Sequence, residues 1–123
     1  MPNRRRLTRA ERESILAKTH GHCAYCGNPL DYKDMQVDHI EALRRGGEDD
    51  IENMLPACRS CNHYKSSLSL DGFRQMLEAQ PTVLARDSVT YEIAVRYGLV
   101  QPQPHKVIFY FEKLDWLRQP AEE

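Results

Sequence analysis

A chain of 123 residues has room for one compact domain, and its 41% hydrophobic and 28% charged content is that of an ordinary globular protein. Its longest apolar runs, such as Val107–Phe111, are far too short to span a membrane as a helix. The formal net charge of -1 excludes a uniformly basic surface, but it averages a net of +4 over residues 1–22 with a net of -5 over the rest. On charge alone the N-terminal arm reads as a solvated terminus; as a binding element it would offer Arg4, Arg5 and Arg6 to a phosphate backbone.

The elements follow in chain order. "MPNRRRLTRAERE" lacks the apolar region of a secretory signal, so a cytoplasmic protein with reduced thiols is expected. Thr8 and Glu11 stand at capping-box spacing, Ala10, Ile15, Leu16 and Ala17 form a partial apolar face, and Gly21 sits where a C′ residue belongs. This pattern predicts a helix over about residues 9–19. Between Cys23 and Ala57 helical periodicity is weak. "DMQVDHIEAL" reads as a short strand, "RRGGEDDIEN" as a loop and "MLPA" as a second short strand. "CRSCNHYKSS" holds no breaker and can start a helix. "SLDGFRQMLEAQ" carries Phe73, Met76 and Leu77 at helical spacing, with Ser69 as cap and Pro81 just past the end. "DSVTYEIAVRYG" carries Val89, Ile93 and Tyr97, with Ser88 as cap and Gly98 as stop. "KVIFYFEKL" is β-branched and aromatic, a strand candidate. Nothing repeats. The expected organisation is α+β: an arm and helix over 1–22, a core over 23–68, and a helix-helix-strand extension over 69–123 packed on that core.

The four cysteines are Cys23, Cys26, Cys58 and Cys61, two C-x-x-C pairs with 31 residues between them. Two disulfides fit poorly with a reducing compartment, a redox dithiol needs no second pair, and plain core cysteines would not fall at this spacing. A structural zinc ion held by four thiolates is favoured. Such a closed site holds a fold and leaves no position open for chemistry. Gly27 suits the positive-φ position of the first knuckle. His20 and His22 could add ligands, but four sulfurs suffice; His20 suits a helix C-terminus better.

Between the cysteine pairs stand Asp38 and His39, the glycines Gly46 and Gly47, Asn53, and then Asn62 directly after Cys61. With these in order, "VDHI…RRGG…IENMLPACRSCNHYK" resembles the HNH endonuclease family, which has the ββα-metal fold. The resemblance covers about residues 20–66. It implies that Asp38 is a divalent-metal ligand, that His39 is the general base, and that Asn53 braces the loop and the orientation of His39. Asn62 falls where the family often has its last histidine and would be the second ligand, so the motif here reads H-N-N. His63 is the rival ligand, but adjacent helical residues point about 100° apart, which takes His63 off the site's face. The resemblance further implies Mg²⁺, Mn²⁺ or another divalent cation as cofactor, double-stranded DNA as substrate, and products with a 5′-phosphate and a 3′-hydroxyl. Arg44, Arg45 and Lys65 are expected to contact phosphates beside the arm. Phage packaging proteins are partners by family analogy only.

These residue types suit phosphodiester hydrolysis on chemical grounds as well. A neutral imidazole can deprotonate water near pH 7, and a hard cation can relieve charge at phosphorus and at the leaving oxygen. In a strand, Asp38 and His39 point to opposite faces, so a bend or bulge is expected there, held by the Gly46–Gly47 loop and Asn53. Taken singly, each residue has a bland reading, with Asn62 as a helix N-cap and Lys65 as a solvated charge. A catalytically inactive, zinc-stabilised DNA- or protein-binding module is the alternative, but it would have no need of Asp38, His39 and Asn53 together.

Overall fold

The computed structural model describes residues 6–117. By compactness the chain divides into two units: the stretch through Leu70 together with that from Ile108 onward, and Asp71–Val107.

The first unit opens with helix α1, Arg9–Ala17. Thr8 Oγ1 accepts from the Glu11 N–H at 3.1 Å, and Glu11 Oε1 accepts from the Thr8 N–H at 3.0 Å. The capping box thus satisfies two donors that a helix start leaves orphaned. The helix closes where His20 and Gly21 turn to positive φ and the Gly21 N–H folds back onto Leu16 O at 3.2 Å.

Two short strands follow, β1 (Gln36–His39) and β2 (Met54–Ala57), paired antiparallel with Gln36 opposite Ala57 and His39 opposite Met54. Pro56 costs the ladder nothing. Its carbonyl turns away from β1 to accept from the Ala24 N–H at 2.9 Å, so the N–H it lacks would have pointed away too. Helix α2, Arg59–Lys65, begins one residue after β2, with the Cys58 thiol accepting from the Cys61 N–H as its N-cap. The result is a ββα unit, with one cysteine pair ahead of β1 and the other at the start of α2.

The core of this unit is Ile15, Ala24, Tyr25, Leu30, Met35, Met54, Leu55, Ala57 and Phe109. So few large side chains make a small core, the regime in which metals or disulfides commonly supplement hydrophobic burial.

The stretch "KVIFYFEKL" departs from the strand expected for it. It leads into a helix, Tyr110–Leu117, and the physical reason lies in where its donors go. The Phe109 N–H is taken by Glu112 Oε1 at 2.9 Å, and the N–H groups of Tyr110 and Phe111 donate to Tyr25 O and Ala24 O at 3.2 and 2.8 Å. The first cysteine knuckle, not a strand edge, satisfies the start of this helix. Phe109 packs edge-on to Tyr25 with ring centroids 5.2 Å apart. Gly27 is required here: its φ is +81°, and a Cβ would stand 3.0 Å from the Tyr110 ring.

The second unit is helical, so the expected helix-helix-strand extension is corrected to helices. Helix α3 spans Leu70–Glu78, α4 Gln80–Asp87 and α5 Val89–Arg96; Tyr110–Leu117 is then α6. Pro81, read as a stop, instead begins α4, because a first-turn residue needs no N–H. Ser88 caps α5 through the Tyr91 N–H at 3.1 Å. Val107 closes the unit, donating to Glu78 Oε2 at 3.0 Å and accepting from Arg74 Nη1 at 2.7 Å. Phe73 is buried, whereas the α5 stripe is not: Val89 is 72% exposed, and Tyr97, just past the helix, 76%. Among the described residues no helix is long and apolar enough to cross a membrane.

Candidate active site and cysteine cluster

The two knuckles bring Cys23, Cys26, Cys58 and Cys61 together, with all four sulfurs within 4.8 Å of one another. Cys26 Sγ and Cys58 Sγ are 4.0 Å apart. Four thiolates about 2.3 Å from one tetrahedral ion would be spaced roughly 3.8 Å apart, so the donor set fits zinc in both geometry and softness. Backbone groups already serve the sulfurs: the Cys58 N–H donates to Cys23 Sγ at 3.3 Å and the Cys61 N–H to Cys58 Sγ at 3.5 Å. The neighbouring Cys61 side chain pulls the Cys23 thiol down to about 4, and the Cys23 side chain in turn pushes Cys61 well above its ordinary value. Burial raises Cys26. The four thiols would hold a divalent ion as thiolates, and its charge would relieve this crowding by taking the place of the protons. His22 stands apart from the cluster, its Nδ1 3.0 Å from His20 O and its ring against Tyr110. His20 is exposed.

The strand register carries through His39 without a bulge, in place of the bulge expected at Asp38–His39. Alternation therefore stands, and the two side chains leave β1 on opposite faces. The chain bends immediately afterwards, at Ile40 and Glu41. Both side chains are nonetheless buried, Asp38 at 4% and His39 at 6% exposure.

Asp38 is held from two directions. The Tyr25 hydroxyl donates to Asp38 Oδ2 at 2.5 Å, and Lys65 Nζ lies 3.1 Å from the same oxygen. Lys65 Nζ also donates to the His39 carbonyl at 3.0 Å. Burial, reinforced by the neighbouring carboxylate, pushes the Tyr25 phenol far above its ordinary pKa, so it stays a donor. Lys65, expected as a phosphate contact, is fully buried at 0% exposure. An ammonium in that position is tolerated only because Asp38 and a carbonyl surround it. Oδ1 of Asp38 takes no hydrogen bond among the described residues, and no side-chain atom is buried without one, so Oδ1 is the oxygen open to a ligand.

Asn62 lies within α2, one turn before Lys65 and on the same side, so it faces β1 as Lys65 does. Cys58 is the N-cap of α2 and Asn62 is its fourth helical residue, which rules out the N-cap reading. Its side-chain amide makes no hydrogen bond among the described residues. His63 is exposed, its ring edge-on to Tyr64.

His39 Nε2 lies 2.9 Å from Asp49 Oδ1. Asn53 clasps the loop that carries Asp49. Its Oδ1 accepts from the Glu41 N–H at 2.9 Å, and its Nδ2 donates to Glu41 O at 2.9 Å and Glu48 O at 2.8 Å. The Asn53 carbonyl also takes the Ile40 N–H at 2.8 Å. Gly47 lies so close to this bend that a Cβ there would fall 1.9 Å from Glu41 O. Only glycine fits.

His39 and Asp49 border a cleft of about 500 Å³ that Arg6, Arg12 and Lys33 also line. Arg12 is anchored, donating from Nη2 to Met35 O at 3.2 Å and stacking over Tyr32. Arg44 donates to Ser67 Oγ at 2.8 Å, and Arg45 is exposed. Arg4 and Arg5 lie outside the described residues. Sequence reasoning missed Tyr25, Asp49, Arg12 and Lys33. A tyrosine between two knuckle cysteines hinted at Tyr25, but nothing local names its partner; Asp49 is one of three consecutive acids.

The family model described as HNH endonuclease matches residues 23–68. CRISPR-associated endonuclease Cas9 of Corynebacterium diphtheriae is 30% identical over 57 residues, covering 46% of this chain and 5% of that protein. The chain thus matches a small part of that relative's length. The crystal structure of the type II-C Cas9 enzyme from Actinomyces naeslundii superposes with a TM-score of 0.50 at 20% identity, covering 82% of this chain and 12% of that one. At that identity the likeness speaks to the fold. Cysteine knuckles, the β1–β2–α2 unit and the family match coincide on one stretch, and residues 23–68 belong to the HNH endonuclease family.

Proposed function

We propose that the chain is a metal-dependent endonuclease that hydrolyses phosphodiester bonds of double-stranded DNA. The observations that support this reading are an imidazole at a basic-lined cleft and, on the other face of β1, a carboxylate with one oxygen that takes no hydrogen bond among the described residues, next to the helix that carries Asn62. The match of residues 23–68 to the HNH endonuclease model supports it.

With Nε2–H donating to Asp49, the His39 lone pair is on Nδ1. His39 takes a proton from the attacking water as general base. The water oxygen bonds to phosphorus, the bond from phosphorus to the 3′ oxygen breaks, and that oxygen takes a proton from solvent. The products are a 5′-phosphate and a 3′-hydroxyl. Asp38 Oδ1 and the Asn62 amide oxygen would hold Mg²⁺ or Mn²⁺, a sparse oxygen set of the kind magnesium takes. When bound, that cation supplies charge relief at the phosphoryl and leaving oxygens. Asn53 keeps the Glu41–Glu48 loop, and with it Asp49, in place behind His39. Arg6, Arg12 and Lys33 would receive the phosphate backbone. The four cysteines would hold zinc as a closed structural site.

The test is conversion of supercoiled plasmid to nicked circles by the full chain, with and without added Mg²⁺. Cutting is expected only with the cation, and His39→Ala is expected to lower the rate about 10²–10⁴-fold while DNA binding persists. Normal cutting by His39→Ala would overturn the mechanism.

A further inference from the structure

We propose that Tyr25 and Lys65 are positioning residues that clamp Oδ2 of Asp38 and tie the orientation of that carboxylate to the segments carrying the four cysteines. The inference rests on the reading of Asp38 as a ligand of the catalytic cation.

Three observations converge. First, both donors fall on one oxygen, the Tyr25 hydroxyl at 2.5 Å and Lys65 Nζ at 3.1 Å. A carboxylate gripped at one oxygen cannot rotate about its own bond, so Oδ1 is fixed in the direction left open. Second, both donors are buried, Tyr25 at 4% and Lys65 at 0% exposure, so water does not replace either one. Third, each donor is anchored by a cysteine pair. Tyr25 lies between Cys23 and Cys26 in the sequence, and its ring stands edge-on to both Phe109 and Phe111. Lys65 ends the helix that Cys58 caps and Cys61 enters. The knuckles therefore do more than hold the fold: their geometry sets that of the hydrolytic site. Outer partners of this kind typically change metal affinity about 10–100-fold when removed.

The test uses the full, zinc-loaded chain and Mn²⁺ as the probe, read by the loss of free-Mn²⁺ electron paramagnetic resonance signal without DNA. Tyr25→Phe keeps the ring and deletes one donor. It is expected to retain one zinc per chain and a melting temperature near the parent's, while its Mn²⁺ dissociation constant rises about tenfold or more. Asp38→Asn is expected to abolish tight Mn²⁺ binding. If Asp38→Asn binds Mn²⁺ like the parent, the ligand reading itself fails. If Asp38→Asn loses the ion and Tyr25→Phe binds it like the parent, the ligand reading survives and the clamp is overturned. A Tyr25→Phe chain that loses zinc or cooperative melting is decided by a second measurement on the parent sequence carrying 3-fluorotyrosine. Of its six tyrosines only Tyr25 is buried, so its ¹⁹F resonance is the one without an H₂O/D₂O shift. That resonance is expected to move with Mg²⁺ in step with binding; a resonance unmoved through saturation overturns the clamp.

Discussion

The cysteine cluster and the Asp38–His39 site are built from the same short elements, yet the protein satisfies them to different degrees. In the cluster, four sulfurs converge within 4.8 Å and backbone N–H groups close in around them. Nothing is left for a substrate. Among the described residues, one oxygen of Asp38 is gripped twice and the other not at all, and the Asn62 amide on the facing helix makes no hydrogen bond. A site that only holds structure can be saturated by its own chain. A site that must receive water, cation and phosphate has to keep some groups unsatisfied, and their rigid neighbours bear the burden of orientation.

The largest effect that would break this contrast is expected at the cluster. Cys58→Ser should lose tightly bound zinc and most cooperative unfolding, since structural zinc contributes on the order of 10 kcal/mol in small metal-dependent folds. Zinc content and thermal melting check it, and a variant that melts like the parent removes the distinction between the two sites. Next comes Lys65→Met, which leaves the Asp38 carboxylate buried without its ammonium partner. A loss of about 3–5 kcal/mol is expected in urea unfolding, because breaking one side of a buried pair strands the other charge. Adding Asp38→Asn to Lys65→Met should recover part of it.

Smaller effects sharpen the open site. Nicking rates across a magnesium titration should separate its groups. Asp38→Ala and Asn62→Ala are expected to need more Mg²⁺ and still to turn over slowly at high metal, whereas exposed His63→Ala should behave like the parent. A dead His63→Ala beside an active Asn62→Ala would move the second ligand by one residue. The smallest expected effect lies at the cleft rim. Replacing Arg6 and Lys33 with Gln should flatten the dependence of log K on log salt by about 0.9 for each real phosphate contact on duplex DNA. An unchanged slope would leave the rim without a share in binding.

Much of the site was legible because its signals are local. Two C-x-x-C pairs and a capping box at Thr8 and Glu11 are legible by spacing, whereas the roles expected along the run from Val37 to Lys65 come from its resemblance to the HNH endonuclease family, whose model matches residues 23–68. The misreadings share a cause too. "KVIFYFEKL" has strand composition but no strand to pair with, and its donors meet the carbonyls of Ala24 and Tyr25, some 85 residues earlier in the chain. Pro81 is a helix stop or a helix start depending on which side the next helix lies. Lys65 looked solvated because lysine usually is, and only the packing of α2 on β1 places Asp38 at its ammonium.

The sequence by itself determined the chemistry available: four soft sulfurs, an adjacent carboxylate and imidazole, and asparagines at fixed offsets along short elements. Local spacing is enough for that, because knuckles, caps and strand alternation depend on neighbours a few residues away. Tertiary structure alone decided which of these groups are held and which stay free. Tyr25 reaches Asp38 across 13 residues, Lys65 reaches His39 across 26, and Asn53 reaches Glu41 across 12. Contacts at such separations exist only after β1, β2 and α2 have packed, since hydrogen bonds are short and directional and no local pattern encodes which distant partner completes them.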